Sequence, residues 1–199
     1  MFLPSKYRRM KRGPQVILPK DIGMIIGYTG IGKESVCLDA GTGSGWLAVA
    51  LARVAKRVTS YETREDFIRI AERNRKAEGL DNLIIKHADI TGDVPERDVD
   101  IVTLDMPNSE SALENAFEAL KTGGYVCGYL PHMEQAKAFV MRMKELGFTE
   151  IETYEVIVRE MLVREQGTRP STKGIWHTAY LSFGRKRAAG PPGDEGQGE

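Results

Sequence analysis

The stretch Leu38-Asp39-Ala40-Gly41-Thr42-Gly43-Ser44-Gly45 constrains this chain more than any other. A short apolar run, Ser35-Val36-Cys37, precedes it. Trp46-Leu47-Ala48-Val49-Ala50-Leu51-Ala52 comes directly after it and reads as a helix. Strand, glycine-rich turn and helix in that order bring backbone N–H groups close to a ligand and aim a helix N-terminus at it. The glycine spacing is Gly41-x-Gly43-x-Gly45. A dinucleotide fingerprint requires a third small residue at position 46, where Trp46 stands. The Asp39 carboxylate comes just before the turn.

The rest of the chain repeats the alternation. Strands are expected over 57–61, ending at Glu62, then over 83–86, 99–104 and 125–130. Helices are expected over 21–27, over 64–78 closed by Gly79, from a Ser111/Glu114 capping box through Leu120, and over 133–146 stopped by Gly147. Residues 151–159 alternate apolar and polar, and 176–183 reads as a last strand. Alternating strands and helices predict a parallel sheet covered on both faces. The last two strands have no helix between them and should pair antiparallel. Gly27-Tyr28-Thr29-Gly30-Ile31-Gly32-Lys33-Glu34 imitates a phosphate-binding loop. It precedes a strand, however, and carries Glu34 where a hydroxyl would hold magnesium, so it reads as a plain turn.

Composition narrows the class. The chain has 199 residues and no net charge, enough for one domain with a full core. The charge is unevenly spread. Lys6, Arg8, Arg9, Lys11, Arg12 and Lys20 crowd residues 1–20, which hold no acid. Such a cluster can follow a phosphate backbone or be a solvated terminus. Cys37 and Cys127 fall in apolar runs and read as buried thiols, and no Cys/His cluster has zinc spacing. No apolar run is long enough for a membrane span and no signal-peptide pattern opens the chain, so a cytoplasmic protein is expected. The expected organisation is a basic N-terminal arm over 1–19, a catalytic domain over 20–187, and a disordered Gly/Pro-rich tail over 188–199.

Ligands of open α/β sheets bind beyond the carboxyl ends of the strands. Asp39, Glu62, Asp89 and Asp105 fall at or near the ends of the first four. For a nucleoside ligand, Glu62 is placed to accept bonds from two ribose hydroxyls; a solvated strand end is its other reading. Asp89 is placed to accept from an adenine amino group, with Ala88 and Ile90 beside the ring. A plain Asx turn into Thr91-Gly92 is the other reading of Asp89. Asp105 lies further out, where a second substrate would sit; a structural turn role is its other reading.

The acid followed by this glycine pattern resembles the first motif of the Rossmann-like class I S-adenosylmethionine-dependent methyltransferases. Their fold is a seven-stranded, mostly parallel sheet with an antiparallel last strand. More narrowly, the chain resembles the tRNA adenine-N1 methyltransferases that modify T-loop adenine 58. The resemblance rests on Gln15-Val16-Ile17-Leu18-Pro19-Lys20-Asp21, on 38–45, on Tyr61-Glu62, and on Leu104-Asp105-Met106-Pro107. Most specific is Arg169-Pro170 with His177-Thr178-Ala179-Tyr180. It implies S-adenosylmethionine as cofactor, held by Gln15, Asp39, Gly41, Thr42, Gly43, Ser44, Gly45, Glu62, Asp89 and Asp105. It also implies Asp105, Arg169 and His177 as the catalytic set, no metal, tRNA as substrate, and a homotetramer. A core histidine is the other reading of His177. Two departures lie on the substrate side. The short basic arm stands where the family carries an N-terminal β-rich domain, and Asn108-Ser109-Glu110 stands where it carries a Pro-Trp pair. A same-fold enzyme acting on a small molecule, as the precorrin methyltransferases do, or on a protein is the competing expectation. A non-catalytic RNA-binding subunit is a third.

Overall fold

The computed structural model describes residues 5–187; the expected tail, 188–199, lies outside them. Its centre is a seven-stranded sheet of order β3-β2-β1-β4-β5-β9-β6. The strands are β1 (Val36–Ala40), β2 (Arg57–Glu62), β3 (Leu83–His87), β4 (Val99–Leu104), β5 (Leu120–Leu130), β6 (Phe148–Glu155) and β9 (Tyr180–Lys186). β1 to β5 pair in parallel, and β9 runs antiparallel between β5 and β6. The short β7 (Met161–Leu162) and β8 (Arg169–Pro170) form a separate ribbon in the β6–β9 connection.

Side-chain alternation builds two cores. In β1, Cys37 faces a core that includes α2 (Pro19–Thr29) and α3 (Trp46–Ala52). Leu38 and Ala40 face a second core under α5 (Leu113–Ala119) and α6 (Met133–Glu145). Strands buried on both faces are what a parallel sheet between helix layers requires. The helix α4 (Glu65–Glu78) ends at Gly79 as expected, with φ +64 and Phe67, Ala71 and Asn74 buried. No helix among the described residues is long and apolar enough to cross a membrane.

Several expectations shift. The N-terminal segment is not wholly irregular: Ser5–Arg9 forms the short α1. The α2 helix starts at Pro19, whose fixed φ suits a first helical position, and ends at left-handed Gly30. The Ser111/Glu114 capping box does not form. A 3-10 turn starts at Ser109, Ser111 Oγ donates to the Asn108 carbonyl, and Glu114 pairs with Arg142. β5 begins at Leu120 opposite Val99, and residues 121–124 bulge out before Tyr125 pairs with Ile101. In β6 a bulge at Glu150 (φ 50) resets the alternation on which the 151–159 reading relies. β9 starts at Tyr180, not Trp176. Ile175 and Trp176 are apolar but exposed, and belong to the connection rather than the sheet.

Candidate active site

A cavity of about 700 Å³ opens at the carboxyl ends of β1 to β5. Gly41, Gly43, Glu62, Asp89, Asp105 and Gln15 all face it, joined by Tyr129 and Pro131 from the end of β5. The acids read from the first four strands therefore converge on one space, except Asp39.

The glycine loop is shaped by two close approaches. A Cβ on Gly41 (φ +82) would stand 1.8 Å from the Asp105 carbonyl oxygen, and Asp105 N donates to Ala40 O at 2.8 Å. Gly45 (φ +81) backs onto Ala71 of α4, where a Cβ would lie 3.2 Å from the alanine Cβ. Only glycine leaves the cavity floor open there. Gly41 N and Thr42 N both donate to Tyr61 O, at 3.0 and 3.2 Å. This bare cradle beside carboxylates fits an adenosyl sulfonium ligand: it has room for the ligand and negative charge for its cation.

Asp39, Thr42 and Ser44 stand behind the loop rather than in the cavity wall. Asp39 is fully buried. It accepts from Ser60 Oγ at 2.5 Å and Thr103 Oγ1 at 2.6 Å, tying β1 to both neighbours. Burial pushes its carboxyl up to about 6 despite these two bonds, and the Glu62 charge adds to the rise. Thr42 Oγ1 reaches Ser60 Oγ at 2.6 Å. Ser44 Oγ is buried without a partner among the described residues.

Glu62 takes its hydrogen bonds from backbone N–H groups, with the Arg64 Nε 3.9 Å from Oε1. Its Oε2 accepts from Gly43 N at 2.8 Å, and Oε1 accepts from Thr63 N and Arg64 N, each at 3.0 Å. A carboxylate has about four lone-pair sites, so one remains for a ligand hydroxyl. Both readings of Asp89 hold in part. Oδ1 closes an Asx turn onto Thr91 N and Oγ1, both at 2.8 Å, while the residue lines the cavity between Ala88 and Ile90. Those bonds hold its carboxyl below the usual range. Asp105 is the opposite case. Its side chain has no hydrogen-bond partner among the described residues. Burial, then the Asp39 and Glu62 charges, push it up to about 7. The loop after it braces itself: Ser109 Oγ donates to Met106 O, and Asn108 takes φ 54.

The cavity roof comes from the N-terminal segment. Tyr7 packs on Trp46 with ring centroids 5.1 Å apart, and Met10 is buried. Asn74 is the fastener: Oδ1 accepts from Lys11 N, and Nδ2 donates to Lys11 O and to Ser44 O, all at 2.8 Å. Gly13 then passes so close to Phe67 and Ser44 that a Cβ would lie 3.1 Å from the Phe67 ring. Pro14 and Gln15 complete the wall.

His177 and Arg169 do not line the cavity. His177 is exposed and lies outside any strand, so it is not a core histidine. Its Nδ1 meets Glu155 Oε1 at 2.6 Å and its Nε2 meets Pro131 O at 2.9 Å. Both partners are acceptors, so the ring satisfies both bonds as imidazolium, and the Glu155 bond raises its pKa. It touches the cavity through Pro131. Arg169 is exposed on β8 and donates to Pro170 O. Next to His177, Thr178 joins a buried ion pair. Lys20 Nζ contacts Asp21 Oδ1 (2.7 Å), Val156 O (2.7 Å) and Thr178 Oγ1 (2.6 Å). Lys20 therefore leaves the cationic cluster of residues 1–20.

Reading from sequence passes over Tyr129 and Asn74. Tyr129 ends a strand, and the rule that finds the acids could find it too. Asn74 reads only as a helix-face residue.

A parallel sheet of this order with a reversed strand inserted beside β5, a glycine loop after β1, and acids on the strands' carboxyl ends define a Rossmann-like class I methyltransferase. The chain belongs to the family described as the tRNA methyltransferase complex GCD14 subunit, which matches residues 9–178. It is 38% identical to a tRNA (adenine(57)-N(1)/adenine(58)-N(1))-methyltransferase TrmI of Methanocaldococcus jannaschii, over 89% of this chain and 74% of the relative. Among solved structures, a SAM-dependent O-methyltransferase of Thermotoga maritima superposes with TM-score 0.88 at 33% identity, covering 93% of this chain and 72% of that one. The tRNA (m1A58) methyltransferase TrmI of Aquifex aeolicus gives 0.85 at 30%, covering 90% and 73%.

Proposed function

We propose that this chain is an S-adenosylmethionine-dependent methyltransferase acting on N1 of adenine in tRNA, at T-loop position 58. The observation that carries the reading is that unpartnered Asp105 faces the same cavity as the glycine loop, Glu62 and Asp89. The family membership and the names of its relatives support the substrate.

The cofactor supplies an electrophilic methyl group on a sulfonium. The open loop at Gly41 and Gly43 leaves room for its methionine end, with Asp39, Thr42, Ser44 and Gly45 fixing the loop from behind. Glu62 offers its remaining lone pair to the ribose, Asp89 its second oxygen to the adenine amine, and Gln15 closes the roof. Ring N1 of the target base becomes cationic as it takes the methyl. Asp105 as carboxylate accepts from the 6-amino group, orients the base and offsets that charge. His177 positions Pro131 at the acceptor side, and exposed Arg169 meets the incoming RNA. A target inside folded tRNA is extruded to reach this site. A cytoplasmic homotetramer is the assembly that the resemblance implies.

The test is incubation with labelled S-adenosylmethionine and unmodified tRNA, digestion, and identification of the methylated nucleoside. 1-Methyladenosine from the wild type and none from Asp105→Ala is the expected result. Cofactor binding with no methylated tRNA would defeat the substrate assignment and move small molecules and proteins forward. No cofactor binding would defeat the enzyme reading itself.

A further inference from the structure

A formal charge of zero conceals one surface of this protein. Lys20 is withdrawn into its buried pair, but Arg9, Lys11 and Arg12 are exposed, and none has an ion-pair partner among the described residues. Arg73 of α4 is exposed and unpaired in the same sense, and it adjoins Asn74, the residue bonded to Lys11. The acids of α4 do little to neutralise these cations. Glu65 is paired with Arg69, Glu72 with Arg75 and Glu78 with Arg53, which leaves Asp66.

We infer that the N-terminal arm and the adjoining edge of α4 form a cationic track for an RNA phosphate backbone, leading to the mouth of the cavity. The inference rests on the proposed substrate class and gives it a docking surface. Three observations carry it. The arm's backbone is fixed by both Asn74–Lys11 bonds, buried Met10 and the Tyr7–Trp46 contact, so ordering it costs nothing further on binding. Arg12 lies three residues before Gln15 of the cavity wall, a reach of about 10 Å at most. No large apolar side chain of the described arm is exposed. Charge without an apolar centre suits a polyanion backbone and not the core of a protein interface.

The test compares two triple variants of the full chain. One neutralises the track, Arg9→Gln with Lys11→Gln and Arg12→Gln. The other removes three exposed cations at the opposite end of the sheet, Lys33→Gln with Lys56→Gln and Arg57→Gln. Binding of unmodified tRNA is titrated at several salt concentrations. Each lost phosphate contact lowers the slope of log K against log salt by about 0.7 to 0.9, so the track variant should lose about 2. If the proteins converge at about 1 M salt, that slope difference is about 100-fold in affinity at 0.1 M. The opposite-end variant should keep the wild-type slope. Cofactor affinity by calorimetry should be unchanged in both, since all six side chains are exposed.

A wild-type slope in the track variant overturns the inference. So does an equal loss in the opposite-end variant, which would reduce the effect to net charge. So does a track variant that binds tRNA normally but has lost binding to polyglutamate, which would assign the surface to an acidic peptide. If tRNA is methylated and the slopes match, the track falls and the substrate reading survives. If the slope falls as expected and no 1-methyladenosine forms, the track stands and the acceptor assignment falls.

Discussion

Replacing Asn74 with alanine should loosen the roof of the cavity from its floor. The side-chain amide has two N–H groups and one carbonyl oxygen, and the structure uses all of them: Lys11 N, Lys11 O and Ser44 O, each at 2.8 Å. A net contribution near 1 kcal/mol per bond puts the loss at about 3 kcal/mol, with the Ser44 carbonyl, the most buried of the three partners, contributing most. For a domain of this size that is a fall of about 6 to 12 °C in Tm. The effect should also be local. Hydrogen exchange of the Lys11 amide should lose its protection while the strand amides of β1 and β4 keep theirs. Cofactor affinity should fall as well, because Gln15 and the glycine loop hang on the same side chain. Asn74→Asp keeps the shape and the acceptor but sets a carboxylate against two carbonyl oxygens. At neutral pH it should therefore be at least as unstable as the alanine variant, and it should recover as pH falls toward about 4, where the side chain is protonated in the folded state and regains a donor. Scanning calorimetry and exchange mass spectrometry decide the matter. An alanine variant melting within about 2 °C of the wild type with Lys11 still protected would refute the reasoning.

Four further outcomes are expected. Asp105 has its carboxyl pushed up to about 7, so the carboxylate fraction, and with it the methylation rate, should rise between about pH 6 and pH 8. Asp105→Asn should lower kcat by about 100-fold or more and flatten that rise; a retained rise would assign the titration elsewhere. The same shift has a stability sign. The folded state holds this proton above the unfolded carboxyl's pKa, so Asp105 opposes folding increasingly as pH rises from about 4 to about 7, and Asp105→Asn should melt higher at pH 8 but not at pH 4. Lys20→Met leaves Asp21 buried without its cation and should cost about 3 to 5 kcal/mol, read from denaturant midpoints; an unchanged midpoint would show that Thr178 alone satisfies Asp21. Gly41→Ala forces a methyl against the Asp105 carbonyl and must part the two loops by more than about 1 Å, a displacement expected to reduce turnover about 100-fold.

The parts of this molecule legible in the sequence share a physical character. The β1 loop, helix α3, strand β4 and the Gly79 stop of α4 are set by short-range effects: glycine freedom, apolar periodicity and left-handed caps. Glu62, Asp89 and Asp105 are legible because topology alone puts strand ends together. Features hidden from the sequence depend on partners distant along the chain. Asp39 fits the pattern of a ligand-facing acid, yet Ser60 and Thr103 draw it behind the loop. Lys20 counts as one of the cations crowding residues 1–20 until Asp21 and Thr178 bury it. Trp176 has strand propensity, but no neighbouring strand pairs with it. Glu150 breaks the alternation of β6 through a bulge that no residue type announces.

The contact between Gly41 and Asp105 bears on how such a protein could change its trade. The glycine loop and Asp105 are spaced by main chain against main chain, with Asp105 N on Ala40 O and no side chain between them. Their separation is therefore inherited with the sheet and is indifferent to the residues beyond Asp105. The stretch from Met106 to Ser111 holds its own turn through Ser109 and Asn108. It is an interchangeable head on a fixed mount: substitutions there can reshape the cavity mouth while the spacing from glycine loop to Asp105 stays where the strands put it.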